Sequence, residues 1–125
     1  MILGVVNSTR EAVIQIAIVG EQKQLKSLPA IIDTGYTGDL TMPKSIILEL
    51  GWLRLGVQEA ILGDDSSHDF EVYAGMIIWD GNFKRVEVNA STNGSLIGMG
   101  LVEGWKLEIE AKAGGDVKLT QLRIV

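Results

Sequence analysis

Hydrophobic and polar residues alternate most regularly from Glu11 to Val19, a pattern that predicts a half-buried strand ending at Gly20. Met1 to Val6 forms a strand ahead of the turn Asn7-Ser8-Thr9-Arg10, so the two segments read as a hairpin. After the polar turn Glu21 to Gln24, Leu25 to Leu28 leads through Pro29 into Ala30-Ile31-Ile32, a buried strand whose apolar character stops at Asp33. Pro43 to Leu50 predicts a short helix, with proline in its first turn and Gly51 at its C-terminal cap. Gly56 to Gly63 and Phe70 to Trp79 pair as a long hairpin around the polar tip Asp64 to Asp69. Asp80-Gly81-Asn82 turns the chain into the strand Phe83 to Val88. Asn93-Gly94 precedes a short strand, Ser95 to Gly98, and Met99 to Trp105 holds one or two helical turns. A last hairpin joins Lys106 to Lys112 with Val117 to Val125. The chain therefore reads as mainly β, with no repeat, linker or low-complexity segment to divide residues 1–125 into more than one domain.

Composition narrows the functions open to such a domain. The chain has 125 residues, fifteen of them glycine and none cysteine, which excludes a disulfide scaffold and thiolate metal sites. Eleven basic against sixteen acidic side chains give a net charge of −5, which argues against a nucleic-acid partner. The longest apolar run, Ala74 to Trp79, is far below the ~18 residues of a membrane-spanning helix. The first residues lack a basic region and a full apolar core of a secretion signal, so the expected location is the cytoplasm. Asn7-Ser8-Thr9, Asn89-Ala90-Ser91 and Asn93-Gly94-Ser95 match the glycosylation acceptor pattern, but that expectation removes their access to the machinery. His68 with Asp64, Asp65 and Asp69 reads as a hydrated tip, not a metal site, and no metal or other cofactor is expected. Trp52, Trp79 and Trp105 are expected to anchor the core or an interface. Apolar residues make up 46% of the chain, a surplus that points to a buried partner surface.

The informative tripeptide is Asp33-Thr34-Gly35. A carboxylate directly after Ala30-Ile31-Ile32 incurs a desolvation penalty unless it is hydrogen-bonded or shares a proton. Thr34 can lock the loop through its hydroxyl, while Gly35 and Gly38 allow close approaches that a Cβ obstructs. By itself such a segment is also the ordinary end of a strand, with Asp33 capping a turn. A second apolar strand that ends in glycine, Leu96-Ile97-Gly98, adds the context.

With these two motifs, Ile31 to Gly38 and Leu96 to Val102, separated by a hairpin, the chain resembles the retropepsin-like aspartic proteases, in particular small single-domain prokaryotic members. The resemblance spans nearly the whole chain and implies a closed acid-protease barrel with one or two short helices. It implies that Asp33 is the catalytic acid and meets its copy from a second subunit in a homodimer. It also implies support of the catalytic loop by Thr34 and Gly35, with Leu96, Ile97 and Gly98 as the second motif beside it. A peptide or protein substrate would lie under a flap made by the hairpin, against Gly35, Tyr36, Thr37, Asp64, Asp65, Ser66 and Ile97. The segments Met1 to Val6 and Gln121 to Val125 would interleave into an intersubunit sheet.

The sequence departs from the retroviral pattern in two places. Tyr36 and Thr37 stand where alanine and an acid are usual, and Met99 and Gly100 stand where arginine and Asn or Asp are usual. In the retroviral enzymes that acid and arginine form an ion pair, and losing both partners costs far less than stranding one. Tyr36 either narrows the pocket beside the scissile bond or packs under the flap, and Asp39 is the alternative carboxylate near the loop. The acidic tip reads as a solvated turn or as a bias against acidic peptides. The function implied is peptide-bond hydrolysis by an Asp33 dyad. The alternatives are a catalytically silent retropepsin-like dimerisation or peptide-binding module and an unrelated ligand-binding β-barrel.

Overall fold

The computed structural model describes residues 1–61 and 64–123. Its elements are β1 (Ile2–Val6), β2 (Ala12–Val19), β3 (Leu25–Ile32), β4 (Leu40–Pro43), α1 (Lys44–Leu50), β5 (Leu53–Ile61), β6 (Ser67–Trp79), β7 (Asn82–Ser91), β8 (Ser95–Ile97), α2 (Met99–Val102), β9 (Trp105–Ile109) and β10 (Asp116–Gln121). The strands run β5-β6-β7-β4-β8-β3-β2-β1-β10-β9, and a further pairing of β6 with β2 closes six of them into a barrel. Inward residues of the barrel strands build the core, with Ile14, Ile16, Ile18, Leu40, Met42, Ile77, Val88 and Ile97 fully buried.

Local chemistry accounts for most boundaries. Asp80 and Gly81 both have positive φ, 50° and 80°, so the β6–β7 hairpin closes on two residues between the paired Trp79 and Asn82. Gly51, at φ 72°, ends α1 in the left-handed conformation, and Pro43 stands just outside the helix as its N-terminal cap. Pro29 does not break β3, because the strand pairs with β8 only from Ala30 onward and its earlier half has one neighbour. The hairpin tip is shorter than the sequence suggests: Ser67, His68 and Asp69 already pair with Ile61, Ala60 and Glu59. Leu62 and Gly63, expected at the end of the first hairpin strand, lie outside the described residues. The last hairpin is likewise shorter, with strands ending at Ile109 and Gln121.

One expectation is corrected. β1 has neighbours in its own chain on both sides, β10 along Ile2 to Val5 and β2 along Gly4 to Val6, so only the start of the strand, Ile2 and Leu3 on the β2 side, is left without a strand partner among the described residues. Gln121 pairs with Trp105 of β9, and Ile124 and Val125 lie outside the described residues. Among the described residues, no helix is long and apolar enough to cross a membrane.

A clamp of acid and base fixes the root of the β5–β6 hairpin. Glu71 accepts hydrogen bonds from Lys44 Nζ at 2.7 Å, Arg54 Nε at 3.0 Å and the Tyr73 hydroxyl at 3.0 Å. These donors, Lys44 first, hold the Glu71 carboxyl down to about 2. A depressed carboxyl stabilises the fold above its ordinary pKa, and that contribution fades as pH falls from about 4.5 toward 2. Thermal melts of wild type and Glu71→Gln should therefore differ at neutral pH and converge below pH 3. A constant gap down to pH 2 would assign the clamp no ionic role.

Candidate functional site

The segment from Asp33 to Asp39 leaves β3 and is stitched to β8 and α2 by backbone hydrogen bonds. Asp33 N–H donates to Ile97 O at 2.8 Å, Gly98 N–H to Asp39 O at 3.0 Å, Met99 N–H to Tyr36 O at 2.7 Å and Gly100 N–H to Gly38 O at 3.0 Å. β3 and β8 run parallel beneath it, pairing Ile31 with Leu96 and Ile32 with Ile97. The glycines make this approach possible. A Cβ on Gly98 would collide with Gly38 O and lie 2.6 Å from Tyr36 Cδ2, and one on Gly100 would lie 2.5 Å from Asp39 Oδ1.

Asp33 is half-buried and its Oδ1 accepts the Gly35 N–H at 2.9 Å, which fixes the side chain against its own loop. Thr34 and Gly35 are exposed beside it. The carboxylate borders a cavity of about 600 Å³ whose walls include Ile31, Thr34 and Leu96 from the two motifs, Arg10 and Glu11 from the β1–β2 turn, and Ile109. The turn carrying Arg10 is itself ordered: Asn7 Oδ1 accepts the N–H groups of Thr9 and Glu11, and Arg10 adopts φ 66°. Hydrogen bonds from Asn7 and then Thr9 hold the Glu11 carboxyl below its ordinary pKa.

The residues expected around the substrate divide into groups. Asp33 and Thr34 come together on the cavity. Leu96, expected only as part of the second motif, supplies its wall. Ile97 is corrected: it is 0% exposed, because alternation along β8 turns it into the barrel core and leaves Leu96 outward. Gly35 and Thr37 are exposed on the loop but do not line this cavity. Asp64, Asp65 and Ser66 form a compact turn at the far end of the hairpin, where Asp64 Oδ1 accepts both the N–H and the hydroxyl of Ser66. Those bonds hold the Asp64 carboxyl below its ordinary pKa. Arg10, Glu11 and Ile109 were missed from sequence, since each reaches the cavity only through long-range strand pairing.

Tyr36 packs inward. Its hydroxyl donates to Asn89 Oδ1 at 2.8 Å on β7, and its ring lies against the positions where Gly38 and Gly98 lack a Cβ. Asp39 adds a second tie to the same strand, since its Oδ2 accepts the Glu87 N–H of β7 at 3.0 Å. The two residues brace the loop without the ion pair that the sequence lacks. Burial first, then the negative charges of Asp39 and Glu87, pushes the Tyr36 phenol up to about 12. Its neutral form stabilises the fold fully below about pH 10, and this is lost as pH rises toward 12. An ultraviolet titration should show no Tyr36 ionisation near pH 10, and Tyr36→Phe should remove that alkaline loss and cost about 1 kcal/mol at neutral pH. Ionisation of Tyr36 at pH 10 would contradict the packed geometry.

No family model matches the sequence, and no curated protein matches it. Among solved structures, it is similar to the crystal structure of a retropepsin-like aspartic protease from Rickettsia conorii, with a TM-score of 0.60 and 18% sequence identity over 95% of this chain and 90% of that one. That likeness extends over nearly the whole chain, and the chain therefore has the retropepsin-like fold.

Proposed function

We propose that the protein is an aspartic endopeptidase whose active site forms between two copies of the chain, each supplying one Asp33. The observation that carries this reading is a single carboxylate placed where a buried strand ends, oriented by the Gly35 N–H and opening on a cavity beside the second glycine motif. A single carboxylate lacks the paired acid and base that water attack on a peptide requires. Two in contact cannot both ionise and so share a proton: the ionised member takes a proton from water as it attacks the carbonyl, while the protonated member donates to the developing oxyanion. The titration then belongs to the pair and not to either copy.

The chain has one Asp-Thr-Gly, and the other carboxylate on the cavity, Glu11, is taken up by hydrogen bonds from Asn7 and Thr9, so on this reading the second acid comes from another copy. On this reading a peptide in extended form lies over the Asp33 loop with the β5–β6 hairpin as its cover, held by main-chain hydrogen bonds. The Glu71 clamp remains ionised in mildly acidic solution, so the root of that hairpin keeps its bonds where such a dyad works. The test is hydrolysis of a peptide library at about pH 4 to 6 by wild type and by Asp33→Asn. Loss of cleavage in the variant supports the reading, and equal cleavage refutes it.

A further inference from the structure

The ten-stranded sheet ends on one side at β9, whose outer edge has no strand neighbour among the described residues. Its hydrogen-bonding phase follows from two bonds to β10 and its tail: Glu110 N–H donates to Asp116 O, and Leu122 N–H donates to Gly104 O. Both fall on the same antiparallel register that pairs Leu107 with Leu119. Alternation then directs the N–H and C=O groups of Lys106 and Glu108 toward β10, and those of Trp105, Leu107 and Ile109 outward. Three donors and three acceptors stand along an open edge.

The side chains on this edge are self-complementary. The strand reads Trp105-Lys106-Leu107-Glu108-Ile109, so an antiparallel copy related by a two-fold axis at Leu107 sets Lys106 opposite Glu108 and Trp105 opposite Ile109. Register assigns Leu107 and Ile109 to the face carrying the buried Leu119 and Val117, and Lys106 and Glu108 to the opposite face. A second copy would thus extend the apolar layer on one face and place opposite charges across the junction on the other. All three outward donors and acceptors of each copy would be paired, since the residues opposed across the axis are the ones that present them. Ile109 also lines the Asp33 cavity, so a copy seated on this edge stands at the rim of that site.

We infer that β9 is the dimerisation edge, forming one continuous antiparallel sheet through the two-fold axis, in place of interleaved terminal segments. The inference rests on the two-copy reading of the active site for its functional meaning, but its test is separate. It is an isologous contact, in which one patch meets itself.

Sedimentation across concentration, at neutral pH, should give a monomer–dimer equilibrium for wild type. Lys106→Glu and Glu108→Lys should each weaken it by about tenfold, because each sets like charges opposite one another at two places in the dimer. The double variant K106E/E108K should restore it. Ile109→Pro removes an outward donor without touching the β10 bonds and should leave a monomer whose circular dichroism matches wild type. As a second measurement, Leu107→Cys introduces the chain's one cysteine at the axis, where facing residues of a hydrogen-bonded pair lie about 5.5 Å apart, and should oxidise to a disulfide-linked dimer. Wild type that stays monomeric, or a dimer indifferent to both charge reversals and to Ile109→Pro, would overturn the inference. A dimer that responds to these changes while Asp33→Asn still cleaves peptides would leave the edge intact and refute the protease reading alone.

Discussion

Asp33→Asn should lower peptide hydrolysis by about a thousandfold or more, while leaving the melting temperature within a degree or two of wild type. General acid and base catalysis by a positioned carboxylate is commonly worth 10² to 10⁴ in rate, and in the proposed dyad one substitution removes the ionisable group from both members. Asparagine preserves the size of the side chain and its acceptor for the Gly35 N–H, so the loop keeps its hydrogen bond. A stronger form of the result comes from mixing. If wild-type and variant chains exchange freely, an equal mixture contains about one quarter wild-type homodimer, and activity per wild-type chain should fall to about half. A chain that acts alone would retain full activity per wild-type chain. Such a titration reports the number of chains in the active unit, which rate loss in a single variant does not.

Gly98→Ala should be among the most damaging small substitutions in the chain, destabilising it by about 3 kcal/mol or more and lowering the melting temperature by roughly 10 °C. Gly98 is buried at φ −98°, a conformation open to alanine, so the effect does not come from the backbone angles. It comes from space: the added carbon would meet the carbonyl oxygens of Gly38 and Tyr36, and backbone oxygens held by Gly100 and Met99 cannot swing away as a side chain would. Relief would require the Asp33 loop to lift from β8, so activity should fall along with stability. Gly94→Ala is the control, since a Cβ there meets nothing within 4 Å, and its melting temperature should stay close to wild type. Equal melts for the two alanine variants would show that the loop and α2 are not locked together.

How much of this was legible in the sequence depends on the range of the interaction. Asp33 stood out because an acid at the end of an apolar run is locally anomalous, and the turn at Asp80-Gly81 was readable because its chemistry lies in two adjacent residues. The phase of β8 was not readable. Three residues show that sides alternate but not which side faces inward, so Ile97 was expected at the substrate where Leu96 lines the cavity. The same limit hid Arg10, Glu11 and Ile109, which line one cavity with Asp33 only once β1, β2 and β9 are placed in one sheet. The hairpin of β1 with β2 was readable, but its other neighbour, β10, was missed for a related reason. An alternating strand carries no mark of whether its second edge is filled by its own chain or another. Tyr36 could be read in two ways until Asn89, fifty-three residues away, appeared opposite its hydroxyl.

The closure between β2 and β6 has a kinetic meaning. Only Ala17 with Ile78 and Ile18 with Ile77 join these strands, and the partners are about 60 residues apart along the chain. Of the other junctions of the barrel, β4 with β8 is equally short, pairing only Leu40 with Ile97 and Thr41 with Leu96, and the rest engage longer registers. Long-range pairings repay their loop entropy late, so the hairpins are expected to form first and the cylinder to close last, at these two short seams. Partial opening at the β2–β6 seam would split the cylinder into a curved sheet without first breaking the β3–β8 pairing beneath Asp33.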